Sequence, residues 1–309
     1  MRVHAANGKV PAAVERVRWA RVPSGPPGGW SSVIGRAAGA PRAPRRWGRW
    51  LVWTVITAGT AFSSRWLRQA VDAWPRWRQP GAPASCDPGG ARDQQRLADT
   101  PLWRLVEARV VERAMRPWRQ RPTLRALRIL NLDHGPGGIA CALSLRAPQD
   151  ATIVATDPLA GMAELARRRA ARRGARPNLH FARAWSWPLP FQDGSFDLVI
   201  SAGSLHQWPN PEVALAEVRR VLAPHGRFLI VDLRRNVPLW LWLAIRLLQG
   251  LVAPRHLRAL DEPSASLRAA FAPHEAEWLA ARARLPHLNV TVGPVWLMIE
   301  GGDVAPQSR

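Results

Sequence analysis

From residue 127 onward the apolar positions fall in short β-rich runs, separated by stretches in which they recur every three or four residues. The runs over 127–132, 152–156, 179–183, 196–201 and 227–232 predict five strands. Between them, 138–146, 160–173 and 211–222 predict helices, the last with Val213, Ala214, Val218, Val221 and Leu222 on one face. Strand alternating with helix predicts a mostly parallel sheet with helices on both faces, because parallel neighbours need a long crossover and its helix must cover the sheet. The tail changes character: a helix over 273–284 precedes strands over 288–292 and 295–300 that turn at Gly293-Pro294, an antiparallel hairpin closing the sheet. Upstream, Leu102, Leu105, Val106, Val110 and Met115 recur at helical steps, predicting a helix that Pro117 stops and that lies over the sheet edge or the mouth of the site.

The pattern divides the chain into a leader over 1–95, a helical lead-in over 96–122, and a main domain over 123–303 with an apolar helical insertion at 237–272. The leader is crowded with Pro, Gly, Arg and Trp and has no sustained period, so it is expected to be disordered, or to stem from a mis-set start. Its apolar run at 51–62 follows Arg42, Arg45, Arg46 and Arg49 like a targeting signal, but falls short of the roughly 20 residues that span a bilayer. In the insertion, Leu239, Trp240, Leu241, Trp242, Leu243, Ile245, Leu247, Leu248 and Leu251 make 237–252 apolar nearly all round. The main reading is a buried lid helix over a ligand pocket; the other is docking on a membrane surface or partner, which Arg234, Arg235, Arg255 and Arg258 would favour.

A net charge of +22 would ordinarily suggest nucleic acid or anionic lipid. Here, however, Lys9 is the one lysine among 44 basic residues, tyrosine is absent, and Arg, Ala, Pro, Gly and Trp abound, as in a GC-rich coding bias. The charge therefore argues weakly for nucleic acid, and a basic RNA-associated protein stays a third reading. Cys86 and Cys141 share no metal-ligand spacing, so neither a metal site nor a disulfide is expected and a reducing, cytoplasmic compartment fits best.

Candidate chemistry begins at Asn131-Leu132-Asp133-His134-Gly135-Pro136-Gly137-Gly138, a strand feeding a glycine-rich turn and then a helix whose start offers free N–H groups. The next strand ends in Asp157, placed to accept hydrogen bonds from both hydroxyls of a ribose. Three further segments follow: Leu189-Pro190-Phe191-Gln192-Asp193-Gly194-Ser195-Phe196-Asp197-Leu198-Val199-Ile200-Ser201, Leu205-His206-Gln207-Trp208-Pro209-Asn210-Pro211, and Val218-Arg219-Arg220-Val221-Leu222-Ala223-Pro224-His225-Gly226-Arg227. In order and spacing they closely resemble the small-molecule class I S-adenosylmethionine-dependent methyltransferases (type 11, UbiE-like), from about Leu127 to Asp232 and more loosely through the hairpin.

The resemblance implies a Rossmann-like doubly wound α/β fold, S-adenosyl-L-methionine as cofactor, and methyl transfer to a small, apolar or aromatic acceptor. It places Gly135 and Gly137 at the amino-acid end of the cofactor, Asp157 at its ribose, Pro158 and Leu159 near its adenine, Ala184 and Trp185 at the adenine edge, and Ser201 to Leu205 beneath the reacting methyl. Asn131 stands where the family has an acid and Asp133 where it has the first loop glycine. Either the carboxylate has moved two positions, with Asp133 replacing the lost charge, or the loop is degraded and the chain is a catalytically silent scaffold. Trp185 can stack on adenine but cannot accept from its amino group. His206 is the one ionisable candidate in the matched motif near the methyl and is read as a base, against the alternative that it packs or caps. The sequence lacks an Asn/Asp-Pro-Pro-aromatic motif after the fourth strand, which disfavours exocyclic amines of nucleic acids as acceptors.

Overall fold

The computed structural model describes residues 101–119, 126–252 and 261–302, together with Gln95, Ala98, Asp99 and Arg258. The expectations for the leader lie outside the described residues, apart from Gln95. In chain order the elements are α1 (Pro101–Arg119), β1 (Arg128–Leu132), α2 (Gly138–Arg146), β2 (Thr152–Asp157), α3 (Ala160–Arg172), β3 (Leu179–Arg183), β4 (Phe196–Ala202), a 3-10 turn (Leu205–Gln207), α4 (Pro211–Val221), β5 (Leu222–Leu233), α5 (Leu239–Val252), α6 (Ser264–Ala269), α7 (Pro273–Arg282), β6 (Asn289–Val292) and β7 (Trp296–Gly302).

The strands form one sheet in the order β3-β2-β1-β4-β5-β7-β6. β1 to β5 are parallel, whereas β7 runs antiparallel to β5 and to β6. This is the expected Rossmann-like sheet, and its order reverses at β1, which opens a crevice beyond the carboxyl ends of β1 and β4. Alternation along the strands fixes the layers. Leu130, Leu132, Val154, Val199 and Ile230 pack one face against Leu215 and Val218 of α4 and Ala276 and Leu279 of α7. Ile129, Ile153, Leu198, Ile200 and Leu229 pack the other against Val111 and Met115 of α1 and Leu143 of α2. A one-residue slip would turn every one of these side chains to the wrong face, so burial on both sides holds the register.

The expected antiparallel hairpin closes the sheet, with β7 against β5 and β6 at the edge. Four expectations need correction. β5 begins at Leu222, five residues early, because Phe196 pairs Leu222 before the chain bulges out and rejoins the ladder at Arg227. The lead-in helix passes through Pro117 to Arg119, since a proline in the last turn removes only one N–H. It covers the middle of a sheet face and not an edge, burying Val110, Val111, Ala114 and Met115 while Leu105 and Val106 face solvent. Finally, α5 is no buried lid: Trp240, Leu247, Leu248 and Leu251 are 70, 63, 55 and 70% exposed.

Candidate active site

β1 delivers Asn131 between Ala155 of β2 and Ile200 of β4. The residue is buried, and its Nδ2 donates to the carbonyls of Ile200 at 3.3 Å and Leu132 at 3.4 Å. Its Oδ1 is buried with no partner. An acceptor left in that state costs roughly 1–3 kcal/mol, which a donor on a ligand would recover.

The chain then turns back on itself through Asp133, Gly135 and Gly137, with φ of 49, 51 and 80°. Glycine is required at Gly137, where a Cβ would come within 2.7 Å of that of Ala166 on α3. A Cβ at Gly135 would meet nothing within 4 Å, so open space adjoins the loop there. α2 starts at once without a side-chain cap, leaving its first-turn N–H groups for a ligand.

Asp157, at the end of β2, is buried and accepts from the backbone N–H of Gly135 at 3.0 Å and of Leu159 at 2.9 Å, one on each oxygen. Each oxygen keeps a second lone pair for a hydroxyl. Loss of hydration, then the nearby Asp133 carboxylate, push Asp157 up to about 7. Loss of hydration also pushes Asp133 up to about 6, opposed by the indole N–H of Trp208, which donates to its Oδ2. Asp133 therefore links the first loop to the segment after β4. Ala184 N–H donates to the Asp157 carbonyl at 3.3 Å and Arg183 Nε to that of Pro158 at 2.8 Å, which draws the β3 loop to the same rim. Pro158, Leu159 and Trp185 stand half-buried along it. Ser201, fully buried at the end of β4, shares a 2.6 Å hydrogen bond with Ser204.

The 3-10 turn that follows carries His206. Its backbone N–H donates to Asp232 Oδ2 at 2.6 Å, and its Nδ1 lies 2.8 Å from Asp232 Oδ1. Asp232 ends the apolar core of β5, and in the sequence pattern it marks only a strand terminus. Its signal is a carboxylate at the carboxyl end of a central strand, next to the one carrying the matched motif. The sequence pattern likewise assigns Trp208 no role.

Residues 131–230 match the model of the family described as methyltransferase domain. The chain is 40% identical over 120 residues to the demethylmenaquinone methyltransferase of Thermus thermophilus, covering 37% of this chain and 53% of that protein. Over 133 residues it is 32% identical to the ubiquinone/menaquinone biosynthesis C-methyltransferase UbiE of Bartonella tribocorum, covering 43% and 51%. Residues 131–230 thus carry the sequence of a class I S-adenosylmethionine-dependent methyltransferase domain. The chain spans about half the length of the curated relatives it matches. The crystal structure of the plantazolicin methyltransferase BamL, in complex with a triazolic desmethylPZN analog and SAH, aligns with a TM-score of 0.55 at 13% identity, over 77% of this chain and 95% of that chain. At that identity the likeness shows the fold alone.

S-adenosyl-L-methionine is the cofactor of the class. The residues of this chain fit it: an orphaned buried acceptor at Asn131, open space at Gly135, an uncapped helix start, and the buried Asp157 carboxylate at the end of β2.

Proposed function

We propose that this methyltransferase moves a methyl group from S-adenosylmethionine to a small apolar acceptor with an acidic proton, of the aromatic quinol class. The unpartnered Oδ1 of Asn131 carries the cofactor half of that reading. The methionine ammonium would supply its missing donor, while Asp157 would accept the ribose hydroxyls, Pro158, Leu159, Ala184 and Trp185 would border the adenine, and Ser201 would underlie the methyl. Bound cofactor supplies a methyl already activated by its sulfonium, so the chain's task is to align the acceptor and take its proton, a role given to His206.

Two observations support an apolar, quinone-like acceptor. The curated relatives are named for demethylmenaquinone and for ubiquinone and menaquinone biosynthesis. The exposed apolar face of α5 follows directly on β5 and suits peripheral contact with a membrane holding such molecules. Among the described residues no helix is long and apolar enough to cross one.

Calorimetric titration of S-adenosylmethionine and S-adenosylhomocysteine into the full chain tests the reading. Micromolar binding of both is expected, followed by methylation of a naphthohydroquinone. Absence of binding at millimolar cofactor would return the chain to the silent scaffold reading.

A further inference from the structure

Two backbone N–H groups and one imidazole nitrogen converge on the Asp232 carboxylate. His206 N–H reaches Oδ2 at 2.6 Å, Leu233 N–H reaches Oδ1 at 2.7 Å, and His206 Nδ1 lies 2.8 Å from Oδ1. The side chains of His206 and Asp232 are only 3% and 1% exposed, so these contacts are held within the protein and are not the loose pairing of a surface. An ionised carboxylate can only accept, which makes Nδ1 the nitrogen that carries hydrogen. In the neutral imidazole Nε2 is then the basic nitrogen, and it lies 3.4 Å from the side-chain amide nitrogen of Gln207, which must give way to an acceptor. The pair joins the carboxyl ends of two neighbouring strands, and the same turn leads to Trp208, whose indole bonds Asp133 of the first loop.

We propose that Asp232 is the positioning residue of this methyltransferase, fixing the His206 tautomer and ring so that Nε2 takes the acceptor's proton. The inference rests on the methyl-transfer reading above. As the methyl arrives, the acceptor atom X keeps the electron pair of its X–H bond for the new X–CH3 bond. The proton passes to Nε2, the pair of the broken S–CH3 bond stays on sulfur, and the imidazolium, stabilised by Asp232, later releases its proton to water. Asparagine could not replace this aspartate. It has one acceptor oxygen for donors that use two; if that oxygen kept the His206 backbone N–H, its amide NH2 would face Nδ1 and drive the hydrogen to Nε2.

The test uses the full chain with 15N-labelled histidine. In the wild type the His206 resonances should show Nδ1 protonated and Nε2 bare, a measurement that needs neither variant nor acceptor; hydrogen on Nε2 would overturn the proposal. Asp232→Asn should reverse the tautomer, hold the S-adenosylhomocysteine Kd within about twofold, and slow single-turnover methylation of a naphthohydroquinone by roughly 100-fold or more. His206→Asn separates chemistry from packing, because its amide N–H can still donate to Asp232 while the basic nitrogen is gone. Loss of methylation with the fold and cofactor binding kept is the expected result, and an unchanged rate would show that the pair merely packs. Failure of the wild type to bind cofactor would sink the methyl-transfer reading and this role with it, whatever the tautomer.

Discussion

Asp157 and Asp133 hold their protons to about pH 7 and about pH 6 because neither carboxylate keeps its hydration, and Asp157 is further opposed by the charge of Asp133. Both values lie above the roughly 3.9 of an unfolded aspartate. Their neutral forms therefore stabilise the cofactor-free domain fully below that value, and the contribution is lost as pH rises through 6 and 7. A cationic cofactor with donor hydroxyls selects the ionised forms, so cofactor affinity should rise across the window in which stability falls. Calorimetry near pH 6.5 in buffers of different ionisation enthalpy should record release of roughly one proton per cofactor. In Asp133→Asn the window should move to lower pH, since the charge opposing Asp157 is gone. Binding without proton release would exclude both carboxylates from recognition. Asn131→Ala removes the orphaned Oδ1 and should weaken S-adenosylmethionine by roughly 1–2 kcal/mol, about tenfold in Kd or somewhat more, in the same titration.

At the scale of elements, α1 is fastened beside the glycine-rich turn by a carboxylate that apolar periodicity could not reveal. Glu107 is 3% exposed, receives Arg173 Nη1 at 3.1 Å and Arg169 Nη2 at 3.4 Å, and fills the space that a Cβ on Gly138 would occupy. Arg169 is itself 1% exposed, with Nε and Nη1 unpartnered. Glu107→Ala would leave that buried cation with the half-exposed Asp99, 3.3 Å away, as its carboxylate partner, a change that costs up to about 3–5 kcal/mol. Urea denaturation should show the loss; a change below about 1 kcal/mol would mean that Asp99 and water suffice for Arg169. The helix illustrates what a sequence discloses. Its existence and the burial of Val110 and Met115 followed from spacing, but the burial of Glu107, paired with Arg169 and Arg173, and the exposure of Leu105 and Val106 did not. The five parallel strands were legible because each alternates under two packed faces. The β7-before-β6 order was not, since a hairpin reads the same whichever strand meets the sheet. The glycine-rich turn after β1 and Asp157 at the end of β2 were legible as candidates through their residue types, whereas the bonds from Asp133 to Trp208 and from His206 to Asp232 join residues 75 and 26 positions apart.

For the molecule as a whole, the exposed face of α5 is the feature that a water-soluble enzyme would otherwise cover. Trp240, Leu247, Leu248 and Leu251 present it, and Gln249 holds the helix to α6 through Ser264 and Asp261. α6 in turn packs on the turn that carries His206, so the apolar surface lies one element away from the proposed base. An acceptor leaving a bilayer would thus have a short route to it. The chain's net charge of +22 favours anionic lipid, but the apolar face supplies a contribution that salt does not screen. The two can be separated by sedimentation with vesicles. Full-length protein should bind phosphatidylglycerol-containing vesicles more tightly than neutral phosphatidylcholine ones, and raising salt should weaken only the difference. Leu247→Glu with Leu251→Glu should reduce binding to both by at least tenfold, since each leucine withdrawn from lipid forfeits roughly 1.5–3 kcal/mol. It should leave cofactor binding intact, because neither residue belongs to the cofactor site. If the double variant binds vesicles as the wild type does, α5 is not the contact, and the attraction comes from charge elsewhere on the chain.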